Sequence, residues 1–279
     1  MTLARLDNEV FFKKAFTDKI VFKAFVKNIV GIDIEPDKIE TEKAFQPKLG
    51  NINFKYDIFA EDTKKRIVIE IQKVEYDRQA ALHNFDRFLH YHLQAITEQQ
   101  RSSEDYSVEK TVYTIVVMTA PYKINEKTRE IYKDEVLISN LNPKNLKGAE
   151  RKLFNHELIY LNPNYKDEDT PQNYRDWLDL IYESIHNPQN PQVNIQNAGV
   201  KRAVEIVSYE NINPYEWEES KKEAGRRKVI TLERAEEREE VQTEFAKNAI
   251  LEGFDNIVIS KLTGLTIEQT EELRTEMQK

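Results

Sequence analysis

The stretch Arg66-Ile67-Val68-Ile69-Glu70-Ile71-Gln72-Lys73 sets a carboxylate inside an apolar run. Read as a strand, it points Ile67, Ile69 and Ile71 to one face and Val68, Glu70 and Gln72 to the other. Glu70 and Gln72 then stand about 7 Å apart at Cα, close enough to serve one ligand or metal ion. A carboxylate in such surroundings is costly unless it is paired, hydrogen-bonded or bound to a cation. The stretch Phe54-Lys55-Tyr56-Asp57-Ile58-Phe59-Ala60 has the same anomaly, and Asp57 precedes Glu70 by 13 positions with a polar turn between them. A hairpin brings the two acids together. Two converging carboxylates, in a chain with no Cys and few His nearby, suit a hard, oxygen-seeking cation such as Mg²⁺ or Mn²⁺. Taken singly, either acid is explained as well by a surface or turn-supporting contact; the joint pattern is what points to a metal.

The elements that must position these residues follow from periodicity. Strands are expected over 40–45, 53–60 and 66–73, with 61–65 as the hairpin turn. Before them, Phe11, Phe12, Ala15 and Phe16, then Phe22, Phe25, Val26 and Ile29, recur at helical spacing as one helix or a broken pair closed by Gly31. A long helix is expected from about 77 to 100. Residues 111–119, β-branched and nearly uncharged, read as a buried strand, and 157–161 as a shorter one. This order predicts an α/β fold, a mixed sheet flanked by helices. Residues 170–186 predict a helix that starts after Pro171 and packs Trp177, Leu178, Ile181 and Ile185 inward. The Asn-, Gln- and Pro-rich run that follows reads as a linker. The expected organisation is a first domain over 1–186, a linker over 187–200, and a charged helical region over 201–279 ending in two short helices around Gly264.

Composition sets the outer bounds. With 279 residues, 39% hydrophobic and 32% charged, the chain reads as globular and rich in helix. It has no apolar run of membrane-spanning length and no signal-like start, so a cytoplasmic protein without membrane association is expected. The net charge of −8 argues against a surface that is basic throughout. The charge is uneven: residues 1–30 hold six Lys or Arg against three acids, whereas 205–240 hold eleven Glu against seven Lys or Arg. Lys19, Lys23 and Lys27 make a stripe best read as a solvated face.

Asp57 followed by Glu70-Ile71-Gln72, a helix with Arg78, Arg87 and Tyr91, and the opening Glu9-Val10-Phe11-Phe12-Lys13-Lys14-Ala15-Phe16 together resemble the PD-(D/E)XK nuclease family transposases, the Rpn recombination-promoting nucleases. Residues 106–118 and the ending 246–268 are similar to the same family. The resemblance touches most of the chain in short, degenerate pieces, of which the Asp/Glu-x-Gln block is the most specific. It implies a restriction-endonuclease-like αβββαβ core that hydrolyses DNA phosphodiester bonds with Mg²⁺ or Mn²⁺, in mobile-element recombination or defence. By the same resemblance Asp57 and Glu70 are metal ligands, Glu9 is the first-helix acid that supports the site, and Gln72 stands where the wider superfamily has lysine. Tyr56 replaces the motif's proline, and Gln72 brings no positive charge. Lys73 compensates only if a bulge turns it inward.

Lys13, Arg78 and Arg87 are the candidate phosphate contacts. His90 and His92, two apart, share no helix face, and with His83 they read as non-ligands. Thr266 and Gln269 form a capping-box pattern in a helix-turn-helix-like tail. The acids of its last helix repel phosphate, so the tail reads as a packing or self-association module, with a homodimer as one outcome. Three alternatives stay open: an active DNA endonuclease, a nuclease-fold module without catalysis that binds DNA or protein, and an RNA-directed nuclease.

Overall fold

The computed structural model describes residues 1–45, 54–72, 78–100, 107–121 and 133–277. These form two units, Met1–Ser220 and Lys221–Lys279.

The expected helical opening is a broken pair, α1 (Glu9–Phe16) and α2 (Lys19–Val30). The break is chemical. Asp18 turns its carboxylate onto the Ile20 and Val21 N–H groups, capping the second helix where the first ends. Asn8 caps the first through the Val10 N–H, and Gly31, at φ 78°, ends the second in the left-handed conformation that glycine adopts without strain.

Strands β1 (Ile39–Phe45), β2 (Phe54–Glu61) and β3 (Lys65–Gln72) follow, then α3 (Arg78–Thr97), β4 (Thr111–Met118), β5 (Val136–Asn140), β6 (Glu157–Leu161), α4 (Gln172–His186), α5 (Ala198–Val207) and α6 (Pro214–Leu251). The sheet order is β1-β2-β3-β4-β6-β5. The first three strands are antiparallel; β3, β4 and β6 run parallel, and β5 is an antiparallel edge. The β2–β3 turn is set by Asp62, whose Oδ1 accepts from the Lys64 and Lys65 N–H groups at 2.7 Å each. The mixed α/β sheet flanked by helices is as the sequence predicts, with β5 an unforeseen strand.

Alternation in the parallel strands sorts the core. Ile67, Ile69, Ile71, Ile115, Val117, Ile159 and Leu161 face the side packed by Phe12, Phe16, Phe25 and Trp177 of the first, second and fourth helices. Val68, Val112, Val116 and Met118 face α3 through Ala95, Ile96 and Phe88. Burial of both faces is why the central strands read as nearly continuous apolar runs.

The linker expected over 187–200 does not divide the molecule. Val200, Ala203, Val204 and Val207 of α5 are buried in the same core as α1 and α2, and a Cβ on Gly199 would lie 2.3 Å from the Ala24 Cβ. The polar run before α5 is tied down by Asp176, which is 5% exposed and accepts from Gln172, Asn194 and Asn197. The division falls instead after Ser220.

In the second unit, α7 (Asn256–Thr263) and α8 (Ile267–Met277) join the end of α6 around Ala246, Ala249, Ile259 and Leu265. The predicted capping box is present: the Thr266 N–H donates to Gln269 Oε1 at 2.8 Å, and the Gln269 N–H donates to Thr266 Oγ1 at 3.1 Å. Among the described residues no helix is long and apolar enough to cross a membrane.

Candidate metal centre

Asp57 lies where the sheet loses its backbone ladder. The β2–β3 pairs run from Glu61 opposite Arg66 to Ile58 opposite Ile69 and stop there. One more step in that register sets Asp57 against Glu70. In place of main-chain bonds, each acid reaches across to the other strand. The Asp57 N–H donates to Glu70 Oε1 at 3.1 Å, and the Ile71 N–H donates to Asp57 Oδ2 at 3.0 Å. Both N–H groups keep an acceptor, as buried backbone donors must.

The other edge of β2 is interrupted at the same place. Thr41 pairs with Ile58 and Lys43 with Tyr56, but Glu42, between them and opposite Asp57, is outside the register. Glu42 has φ 57°, the one non-glycine residue with positive φ among those described. A side chain there is strained unless its surroundings hold it. Strict alternation also lapses on β2: Tyr56 packs toward α3 while Ile58, two positions on, packs toward the opposite face. Glu42, Asp57 and Glu70 thus stand in a row across three strands.

The first helix completes the cluster. Glu9, Glu42 and Asp57 each offer a carboxylate oxygen, all within 4.8 Å of one another. The Lys13 ammonium lies among them, in contact with Glu9 and Glu42 and 3.5 Å from Asp57 Oδ1. Lys55 contacts the second oxygen of Glu42.

Burial and crowding decide the electrostatics. Glu70 is 3% exposed, and burial, followed by the negative charge of Asp57, pushes its carboxyl well above the ordinary range. Asp57 is raised first by burial and then by Glu9, with Lys13 and the Ile71 N–H pulling the other way. On the α3 side, exposed Arg87 donates to Gln72 Oε1 at 2.6 Å and lies over the rings of Phe88 and Tyr91. Its charge also lies near enough to Glu70 to oppose the upward push.

The structure brings Asp57 and Glu70 together at the β2–β3 seam, with Gln72 two positions along from Glu70, and sets Glu9, the first-helix acid implied by the family resemblance, beside Asp57, but the ligand set differs from the expected pair of Asp57 and Glu70. The carboxylates able to share one ion are Glu9, Glu42 and Asp57; Glu70 is outside that trio because its oxygen is drawn to the Asp57 N–H left over by the broken ladder. Lys13, expected at a phosphate, turns into the acids, since a position four residues after Glu9 on a helix shares its face. Lys73 lies outside the described residues, as does the side chain of Arg78, the first residue of α3. Glu42 was not foreseen. Its only signal is an acid in an edge strand of charged residues, and the backbone reversal that makes it useful leaves no mark in composition.

His92, on the same helix as Arg87, is 1% exposed and bonds to Thr114 Oγ1 of β4 through Nδ1 at 2.9 Å. Set against known proteins, the chain matches no family model, no curated protein and no solved structure.

Proposed function

We propose that the protein is a divalent-metal-dependent DNA endonuclease of the PD-(D/E)XK type. The observation that carries this reading is the convergence of Glu9, Glu42 and Asp57 within 4.8 Å at the break in the sheet, beside buried Glu70. An all-carboxylate donor set fits Mg²⁺ or Mn²⁺ and offers no soft ligand to zinc or copper. Glu9, Glu42 and Asp57 would hold the ion, with Asp57 oriented by the Ile71 N–H as metal-ligating carboxylates ordinarily are by outer hydrogen bonds. When bound, such an ion supplies Lewis acidity at the phosphoryl oxygen and eases ionisation of the attacking water.

The remaining steps fall to side chains around it. Glu70, beside the trio and with its carboxyl raised above the ordinary range by burial and by Asp57, is placed to take the proton of an attacking water as a general base. Arg87, exposed and braced by Phe88 and Tyr91, is suited to hold a phosphate beside Glu70 and Gln72 and to offset its charge. Gln72 can orient a water or phosphate oxygen but brings no charge to it. This favours the second reading, a nuclease-fold module without hydrolysis that binds DNA or protein.

Supercoiled plasmid with Mg²⁺ or Mn²⁺ separates the two. Wild-type protein is expected to nick it, and Asp57→Ala and Glu70→Ala to lose that activity while remaining folded. Retention of plasmid without nicking by wild type supports the inactive module, and equal nicking by all three proteins removes this site from the reaction. Parallel assays with single-stranded RNA and with duplex DNA tell the substrates apart.

A further inference from the structure

We propose that Lys13 is a tethered counter-ion, and that the metal centre loads by exchanging the Lys13 ammonium for the divalent ion. This rests on reading Glu9, Glu42 and Asp57 as metal ligands. The ammonium is within the donor set, bonded to Glu9 and Glu42 and 3.5 Å from Asp57, and its side chain is 13% exposed. A lysine normally keeps its charged end in water. Its neighbour does something different: Lys14 donates to the Asn211 carbonyl and to Glu216 at 2.6 Å. Helical spacing explains the direction, because Lys13 follows Glu9 by one turn and must share its face.

The chemistry of the contacts makes the two cations exclusive. An ammonium has three N–H donors and no acceptor, and here three carboxylates surround it. The lone pairs it engages are those a metal ion needs, and like charges at such separation repel strongly. Without metal, Lys13 relieves the repulsion among the acids and keeps the distorted β1–β2–β3 region folded. With metal it must leave, and its attachment to α1 keeps it beside the site. Lys13 therefore sets the metal affinity of the site without ligating the ion, and it favours a divalent cation, whose gain over the ammonium is greatest.

The experiment is a Mn²⁺ titration by calorimetry of wild type, Lys13→Met, Lys13→Gln and Asp57→Asn. If Lys13 occupies the acids nine-tenths of the time, its removal should tighten Mn²⁺ binding about tenfold. Metal-free Lys13→Met should melt below wild type and gain more from Mn²⁺. A dissociation constant in folded Lys13→Met or Lys13→Gln that equals or exceeds that of wild type overturns the exchange. Absence of Mn²⁺ binding in wild type and both Lys13 variants instead overturns the metal centre, and the exchange with it. Wild type alone offers a second measurement, amine acylation read by mass spectrometry. Lys13 should be protected without metal and modified faster with Mg²⁺; an unchanged rate, with binding established, refutes displacement.

Discussion

Acidification to about pH 4.5 should loosen the first unit by way of His92. The imidazole is 1% exposed; Nδ1 meets Thr114 Oγ1 at 2.9 Å, and Nε2 is buried with no hydrogen-bond partner among the described residues. Burial, and after it the nearby His156, lowers the ring's pKa from 6.5 to about 4. A base whose folded pKa is depressed contributes stability that is present above 6.5 and is lost as pH falls toward the folded value, because the unfolded chain takes up the proton first. The gap between 6.5 and about 4, at about 1.4 kcal/mol per pH unit, comes to about 3 kcal/mol, most of it already lost at pH 4.5. Against a typical total of about 5–15 kcal/mol this is a large fraction. The loss falls on the contact that holds α3, and with it Arg87 and Tyr91, to β4. Urea unfolding of wild type and His92→Gln at pH 7.5 and 4.5 measures it, followed by tryptophan emission, since Trp177 and Trp217 both belong to the first unit. The variant is expected to be the less stable at pH 7.5, through a weaker contact with Thr114, and to close most of that gap or overtake wild type at pH 4.5. A difference between the two proteins that is the same at both pH values refutes the argument.

Three further outcomes test other parts of the structure. Because burial and Asp57 raise the Glu70 carboxyl, the native protein holds that proton more firmly than the unfolded chain, and stability should fall as pH rises from the ordinary carboxylate range through the folded value. Glu70→Gln keeps an acceptor for the Asp57 N–H and removes the charge. In chelator at pH 8 it should melt above wild type, with a flatter pH profile; a lower melting temperature contradicts the assignment. Gly199→Ala would set a Cβ 2.3 Å from the Ala24 Cβ and 3.0 Å from Trp177, so it should cost about 1–3 kcal/mol in urea unfolding, and a neutral result would detach α5 from the core. Arg66 is 7% exposed and donates to Glu61, Glu98 and the Ala95 carbonyl. Arg66→Met should cost about 2 kcal/mol, less than the 3–5 of a fully buried pair because both acids retain solvent, and calorimetric melting should register the loss.

What the sequence disclosed follows from which forces are local. Helices α1 and α2, strands β2, β3 and β4, and the cap at Thr266 are written in periodicity and in side chains that bond within a few residues. Asp57 and Glu70 were visible because a carboxylate among apolar neighbours is an anomaly that needs only its own strand to be noticed. The boundary after Ser220 was not visible. The run before α5 has linker composition, yet its Asn residues satisfy Asp176 and cap the helix, a role that depends on a partner twenty residues away. Glu42 was hidden for a similar reason: its place is fixed by β2, and its left-handed backbone is a property of the assembled sheet. Strand β5 is short and at an edge, with Ile138 54% exposed, so its pattern was too weak to separate from a loop.

The break in the ladder is itself the reason the acids can act together. In an unbroken antiparallel pair, the Asp57 and Ile71 N–H groups would each have the choice of main-chain oxygens, and the carboxylates would gain nothing by turning inward. Here those donors are given to side chains, at 3.1 and 3.0 Å, and Asp57 and Glu70 are thereby held at the seam between the strands. A seam is reachable from both faces of a sheet, which explains how α1 can contribute Glu9 and Lys13 from one side while α3 contributes Arg87 from the other. A shift of β2 by one residue would set Phe59 and an acid, Asp57 or Glu61, where Ile58 and Ala60 now pack in the main core. The apolar residues on either side of Asp57 therefore fix the register, and the fixed register obliges the acids to meet.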